Sequence, residues 1–322
     1  MSLNKKTNFA AIFPGQGSQY SGMGKFLYDN YQTARETFRL ADDTLKFSLS
    51  DLCFNGNIKD LTKTYNTQPA LLTISYIMYQ IYIKKRDLRS SLLLGHSLGE
   101  LTALVCSNAI KFTDGIKIAR DRGLYMQECG DKSEGSMLAV LSDDFKLIKK
   151  FCSEISSEKL ILEIANYNSN NQIVLSGNNR ALDMIKEKLK KENIKCIRLN
   201  VSAAFHSPIM ESASSKLRKN LSQYKFSQMS IPVISNISGK PYLSQDDIIK
   251  NLSLQVTKPV QWVKSISNAL KLGANLFVEV GPKSVLKNLN KNICESIETL
   301  SLDIEADLCK FNDVFGYTND YF

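Results

Sequence analysis

The sequence predicts an α/β fold in which a large domain with a mostly parallel sheet carries a small inserted unit. Two observations predict it. Short apolar runs alternate with helical patterns over residues 1–130 and again over 199–322, the rhythm of a sheet covered by helices on both faces. Residues 131–198 change rhythm, reading strand, helix, strand, strand, helix, strand. The expected division is therefore a large domain from 1–130 and 199–322, with 131–198 as the insertion.

The first strand is expected at Phe9-Ala10-Ala11-Ile12-Phe13, stopped by Pro14-Gly15. Helices follow at about 24–41 and, after Gln68-Pro69, at about 69–84, with Pro69 in the first turn. Residues 91–94 form a buried strand that runs into Gly95-His96-Ser97-Leu98-Gly99, and a helix begins at Glu100. A further helix over 114–129 takes Asp114 as its N-cap. In the insertion, strands are expected at 137–141, 160–165, 172–176 and 194–201. The helices lie at 143–156, capped by Ser142, and at 179–192. The Asn-rich run 166–171 reads as the turn between the two middle strands, completing a ferredoxin-like plan. The large domain resumes with helices near 208–222 and 259–272 and strands at 233–235 and 276–280. The tail past about 300 shows no clear period.

Composition narrows the function classes. At 43% hydrophobic and 23% charged residues the chain is an ordinary globular one. No apolar run approaches the roughly 18 residues of a membrane span, and the polar start Met1 to Asn8 lacks a secretory h-region. The expected location is cytoplasmic, with an organelle open if a transit peptide has been removed. Seven dispersed cysteines without a CxxC pair argue against disulfides and zinc, and most read as small core residues. No metal is expected. The net charge of +9 is spread over helices where acids interleave, as in 184–192, so it does not imply nucleic acid. It suits an anionic ligand or an acidic partner protein.

Chemistry concentrates at Gly95-His96-Ser97-Leu98-Gly99. A G-x-S-x-G between a strand and a helix turns the chain sharply and exposes the serine, and the Leu98 N–H at the helix start offers an oxyanion donor. Serine needs a base. Of the two histidines, His96 is expected to point away from the serine. His206, in the loop Ala203-Ala204-Phe205-His206-Ser207-Pro208 after a strand, is placed to reach it. Gly15-Gln16-Gly17-Ser18-Gln19 meets no nucleotide-binding fingerprint; a backbone N–H from this turn suits a second oxyanion donor.

Six motifs in order now carry a family resemblance. They are Phe13-Pro14-Gly15-Gln16-Gly17-Ser18-Gln19, Gly95-His96-Ser97-Leu98-Gly99-Glu100, and Arg122-Gly123 with Met126-Gln127. Ala204-Phe205-His206-Ser207, Pro259-Val260-Gln261-Trp262 and Glu279-Val280-Gly281-Pro282 complete the set. Over residues 9 to 290 the chain resembles the malonyl-CoA:acyl-carrier-protein transacylases of bacterial-type fatty-acid synthesis. The resemblance implies a large α/β-hydrolase-like domain, Ser97 as the acylated nucleophile and His206 as its base. It implies the backbone N–H groups of Gln16 and Leu98 as oxyanion hole, and Arg122 as the clamp on the free malonyl carboxylate. A guanidinium fork suits that task, since a fixed charge separates malonyl from acetyl. A helical wheel puts Arg122 roughly 80° from the centre of the apolar stripe, a half-buried edge, with Arg120 as its rival. The resemblance also implies that the backbone carbonyl of Gln255, not a carboxylate, orients His206; the residue type there carries no information. Phe205 resembles the malonyl-selective form of this motif in related polyketide acyltransferases.

What the resemblance implies is a ping-pong acyl transfer from a CoA thioester to acyl carrier protein by a monomer. It needs no cofactor of its own, no nucleic acid and no membrane. The other readings are a free-standing acyltransferase of a polyketide pathway, an α/β serine hydrolase, and a non-catalytic carrier-docking protein. The insertion and Arg122 argue against the hydrolase.

Overall fold

A computed structural model describes residues 8–201, 203–303 and 305–317. Residues 1–7 and 318–322, ends of the expected polar start and aperiodic tail, lie outside the described residues.

Strand β1 (Phe9–Phe13) is buried along its whole length, as a central strand of a parallel sheet must be. It lies between β2 (Leu92–Gly95) and the later β7 (Leu276–Glu279), with β8 (Thr299–Ser301) at the edge beyond β7; every pairing is parallel. The expected strand at 233–235 contributes only isolated bridges, a parallel one from Val233 to Leu93 and an antiparallel one from Ile234 to Pro241. The intervening chain forms a second sheet from β3 (Gly135–Leu141), β4 (Leu162–Ser169), β5 (Gln172–Asn178) and β6 (Lys195–Arg198). Its order is β4-β5-β3-β6 and its pairings are all antiparallel. Helices Phe145–Ile155 and Asn179–Lys191 supply Ile148, Cys152, Leu182, Ile185 and Leu189 to a separate apolar core under this sheet.

Several local expectations are corrected. The Asn-rich run does not turn at Asn166: β4 continues through Ser169 with two register irregularities, because its backbone docks on Val260. Val260 N–H donates to Ala165 O at 2.8 Å and Tyr167 N–H to Val260 O at 2.9 Å. This tie fastens β4 to the chain just before the helix Trp262–Lys271, and from β4 Asn168 reaches His96 beyond the end of β2. Pro69 is not in a first turn. Its helix spans Thr64–Met78, so the ring deprives Tyr65 O of its i+4 donor. Arg120 Nη1 donates to Tyr65 O at 2.9 Å instead, and the guanidinium stacks over the Tyr65 and Phe47 rings. That helix ends in a π-helical turn, Tyr79–Lys84. The expected helix over 24–41 is two helices, Lys25–Asn30 and Gln32–Leu45, broken at Tyr31. Helix Phe112–Lys132 starts before Asp114, with Lys111 at its N-cap, and Asp144 rather than Ser142 caps 145–155 by accepting from Leu147 N–H.

The helix Asp247–Gln255 went unread in the sequence. The tail does have structure: β8 and the helix Glu305–Phe315, whose Leu308 and Phe311 are buried and whose Phe315 meets Phe9 edge-to-face at 5.3 Å. Of the seven cysteines, Cys53, Cys106 and Cys152 are buried and the other four are half-buried, so the core reading holds for three.

Candidate active site

β1 and β2 are neighbours, so their carboxyl ends deliver the 15–19 turn and Ser97 to the same edge of the sheet, where α/β sheets usually place ligands. Ser97 follows β2 and precedes the helix Leu98–Cys106, with φ 52° and ψ −109°. That conformation costs an L-residue about 1–3 kcal/mol. Glycines on both sides make room for the turn. A Cβ on Gly95 would sit 1.8 Å from the Gly99 carbonyl carbon, and one on Gly99 would sit 2.0 Å from Phe13 O. Asn236 holds the strained turn: its Nδ2 donates to Gly95 O at 2.6 Å and its Oδ1 accepts from Ser97 N–H at 2.7 Å.

Ser97 Oγ lies 2.9 Å from His206 Nε2, and His206 Nδ1 lies 2.7 Å from Gln255 O. A carbonyl oxygen only accepts, so Nδ1 carries the proton and Nε2 presents a lone pair to the serine. Burial, and then the Arg122 charge, push the His206 pKa down to about 3. Arg122 is not at a half-buried edge: it is 2% exposed, and the small Gly123 beside it lets its helix approach the Tyr65 backbone closely. Its Nη2 donates to Ser97 Oγ at 3.2 Å and to Gln255 Oε1 at 2.9 Å, and Nη1 donates to Gln68 Oε1 at 2.7 Å. Burial draws its pKa down to about 10, against the nearby Glu100, which raises it. Arg120 is occupied by Tyr65 and Asn66, outside the pocket.

Gln16, Leu98, Arg122, Phe205 and His206 line one pocket with Ser97, about 870 Å³ with its open mouth. Leu98 opens its helix, so its N–H has no intrahelical acceptor. His96 is not directed wholly away: it borders the same pocket, with Nε2 donating to Asn168 Oδ1 at 2.9 Å and its ring 5.7 Å from that of Trp262 in a T-shaped contact. Burial pushes its pKa down. The late motifs are structural. Trp262 Nε1 donates to Asn290 Oδ1 at 3.0 Å, and the Glu279 carboxyl accepts from Leu286 and Lys287 N–H, anchoring the helix Val285–Lys291 that walls the pocket. Among the described residues no group of acids, histidines or cysteines is arranged to hold a metal.

Gln68, Glu100, Asn236 and Tyr242 also support the site, Tyr242 Oη by donating to Glu100 Oε1 at 2.5 Å, and no such role for any of the four was legible in the sequence. Asn236 and Tyr242 follow no periodic pattern, and Gln68 reaches Arg122 only because two distant helices pack together. The residue type at 255 also matters after all. Besides lending its carbonyl to His206, Gln255 bonds Arg122, Ser97 O and Glu100 through its side chain.

A serine hydroxyl held against a neutral imidazole, beside a free helix-start N–H, is an arrangement that acyl-transferring serine enzymes use. The acyl transferase domain family matches residues 11–306. The chain belongs to that family. A malonyl CoA-acyl carrier protein transacylase of Bacillus subtilis is 37% identical over 306 residues, covering 95% of this chain and 76% of the relative. The crystal structure of a malonyl CoA-acyl carrier protein transacylase from Clostridium perfringens matches this acyltransferase with a TM-score of 0.91 at 35% identity, over 96% of this chain and 97% of that one. A malonyl-transacylase solved in complex with a type II PKS acyl-carrier protein matches with a TM-score of 0.91 at 32% identity, covering 96% of this chain and 99% of that one. Among the described residues of the acyltransferase, no helix is long and apolar enough to cross a membrane.

Proposed function

We propose that this acyltransferase moves a malonyl group from malonyl-CoA to the phosphopantetheine thiol of an acyl carrier protein of fatty-acid synthesis, through a malonyl ester on Ser97. The observation that carries the reading is the buried Arg122 guanidinium 3.2 Å from Ser97 Oγ, a fixed cation at the position a free acyl carboxylate would take.

In the first half-reaction the Ser97 hydroxyl proton passes to His206 Nε2 as Oγ attacks the thioester carbonyl. The oxyanion takes the N–H groups of Gln16 and Leu98. The C–S bond then breaks, and the departing CoA sulfur takes the proton from the imidazolium. In the second half the carrier thiol gives its proton to Nε2 and attacks the ester carbonyl; the C–O bond breaks and Ser97 recovers the proton. The carboxylate of the substrate offsets the Arg122 charge acting on His206, so binding restores basicity to the imidazole as it is needed. Phe205, buried on the pocket wall, stands where the family motif it resembles favours malonyl over methylmalonyl. Phosphopantetheine arrives on the carrier, and the enzyme contributes no cofactor. We read it as a cytoplasmic monomer divided into 1–130 with 199–322 and the smaller unit 131–198.

The direct assay is transfer from malonyl-CoA to purified holo carrier proteins of fatty-acid and of polyketide synthesis. Formation of malonyl-carrier with faster transfer to the fatty-acid carrier is expected. Faster transfer to the polyketide carrier would move the enzyme to that pathway, and no malonyl-carrier with either would overturn the reading.

The lowered His206 pKa adds a pH prediction. Acylation needs the neutral imidazole, and a depressed pKa keeps it neutral to lower pH. kcat/KM for acylation should therefore stay flat from pH 8 down to about 5, whereas an ordinary imidazole would lose half its base form near 6.5. An acid limb near 6.5 in a pH–rate profile would contradict this.

A further inference from the structure

Arg122 is a buried cation that, among the described residues, makes no ion pair. A buried carboxyl nevertheless lies close behind it. Glu100, fully buried, accepts from Tyr242 Oη at 2.5 Å and from Gln255 Nε2 at 2.5 Å. The other end of the same amide, Gln255 Oε1, accepts from Arg122 Nη2 at 2.9 Å. One neutral side chain thus stands between a cation and an acid, with its oxygen toward the first and its nitrogen toward the second. Its nitrogen also reaches Ser97 O at 2.9 Å, which fixes the amide's orientation. A primary amide donates at one end and accepts at the other without carrying charge.

We propose that the Gln255 side chain is a specificity-determining spacer, separating Arg122 from Glu100 so that the guanidinium's charge remains free for the acyl carboxylate of the substrate. A direct Arg122–Glu100 pair would satisfy the cation internally, and a substrate carboxylate would then compete with a buried one. The two groups already sense each other: Glu100 raises the Arg122 pKa against the lowering effect of burial, and burial holds the Glu100 carboxyl above the usual carboxylate range. Gln68, on the other guanidinium nitrogen, is likewise a neutral acceptor. The arginine is therefore oriented on both sides without being neutralised. Gln255 acts through Arg122 and is a positioning residue, distinct in this role from its backbone carbonyl on His206, which a substitution leaves in place.

The inference rests on the malonyl reading, and its test separates the two. The measured quantity is the ratio of kcat/KM for Ser97 acylation by malonyl-CoA to that by acetyl-CoA, with kcat and KM resolved for each. Gln255→Glu, which keeps the shape and sets a carboxylate against Arg122, is expected to lower the ratio at least about tenfold, mainly through a higher KM for malonyl-CoA. Gln255→Met, which removes the amide and lets Glu100 approach, is expected to lower it too, and adding Glu100→Gln to that variant should restore the ratio to within about threefold of wild type. Should Gln255→Met fail to fold by circular dichroism, the Gln255→Glu ratio decides alone. An unchanged ratio in Gln255→Glu, or a loss in Gln255→Met that Glu100→Gln does not repair, overturns the spacer. If Arg122→Ala itself leaves the ratio unchanged, it is the malonyl clamp that fails, before the spacer is reached.

Discussion

Ser97→Ala is expected to lower malonyl transfer by about 10⁴-fold or more, since it removes the hydroxyl proposed to carry the acyl ester and leaves binding and the proposed oxyanion hole intact. The expectation rests on three features that meet at one atom. The elbow holds Ser97 at φ 52° between two glycines that tolerate no Cβ, His206 Nε2 lies 2.9 Å from Oγ, and the carbonyl of Gln255 fixes the tautomer. The substitution removes one half-buried oxygen and no core packing, so the melting temperature should stay close to that of the parent. A steady-state assay with malonyl-CoA and holo carrier protein reads the loss. Residual activity within about tenfold of wild type would mean that another nucleophile carries the acyl group.

Arg122→Ala is the second large effect, and it changes choice as well as rate. Truncating one partner of a buried charge pair costs about 2–5 kcal/mol, so kcat/KM for malonyl-CoA should fall by at least about thirtyfold. Acetyl-CoA has no carboxylate to lose, so its acylation should fall much less, and the preference shifts toward acetyl. The same substitution removes a positive charge that lowers the His206 pKa, so the acid limb of the acylation profile should move up in pH. Parallel measurement with both thioesters checks this. An unchanged malonyl preference would move the clamp to another residue. Arg120 is a poor candidate, since it is held by Tyr65 and Asn66 where it supports the carbonyl freed by Pro69.

How much of this was legible in the sequence differs between the local and the long-range. The β1 run, the elbow and the βαββαβ rhythm are local patterns, with apolar runs, glycines and helical periodicity adjacent in the chain, and they placed Ser97 correctly at a strand–helix turn. His206 followed by elimination, because only one other histidine exists. Arg122 and Gln255 came through the family resemblance; neither their burial nor the Gln255 side chain's bonds to Arg122, Ser97 and Glu100 follow from spacing, since each of these three bonds spans 133 or more residues. Asn236, which staples the elbow from 139 residues away, has the same cause for being missed. The extended run of β4 was misread as a turn because asparagines usually mark turns; here docking on Val260 overrides that preference. The helix Asp247–Gln255 went unread for a related reason. Its buried set, Ile248, Leu252, Ser253 and Gln255, includes two polar residues: Ser253, which bonds back onto its own helix at Ile249 O and Lys250 O, and Gln255, whose side-chain partners lie elsewhere in the fold.

The most direct test of the central claim is the intact mass of the enzyme after brief mixing with malonyl-CoA in the absence of carrier protein. The account predicts that the wild-type chain gains the mass of one malonyl group, that the adduct disappears on adding holo carrier protein, and that Ser97→Ala gains nothing. An unmodified wild-type chain, or an adduct that persists in Ser97→Ala, would contradict it.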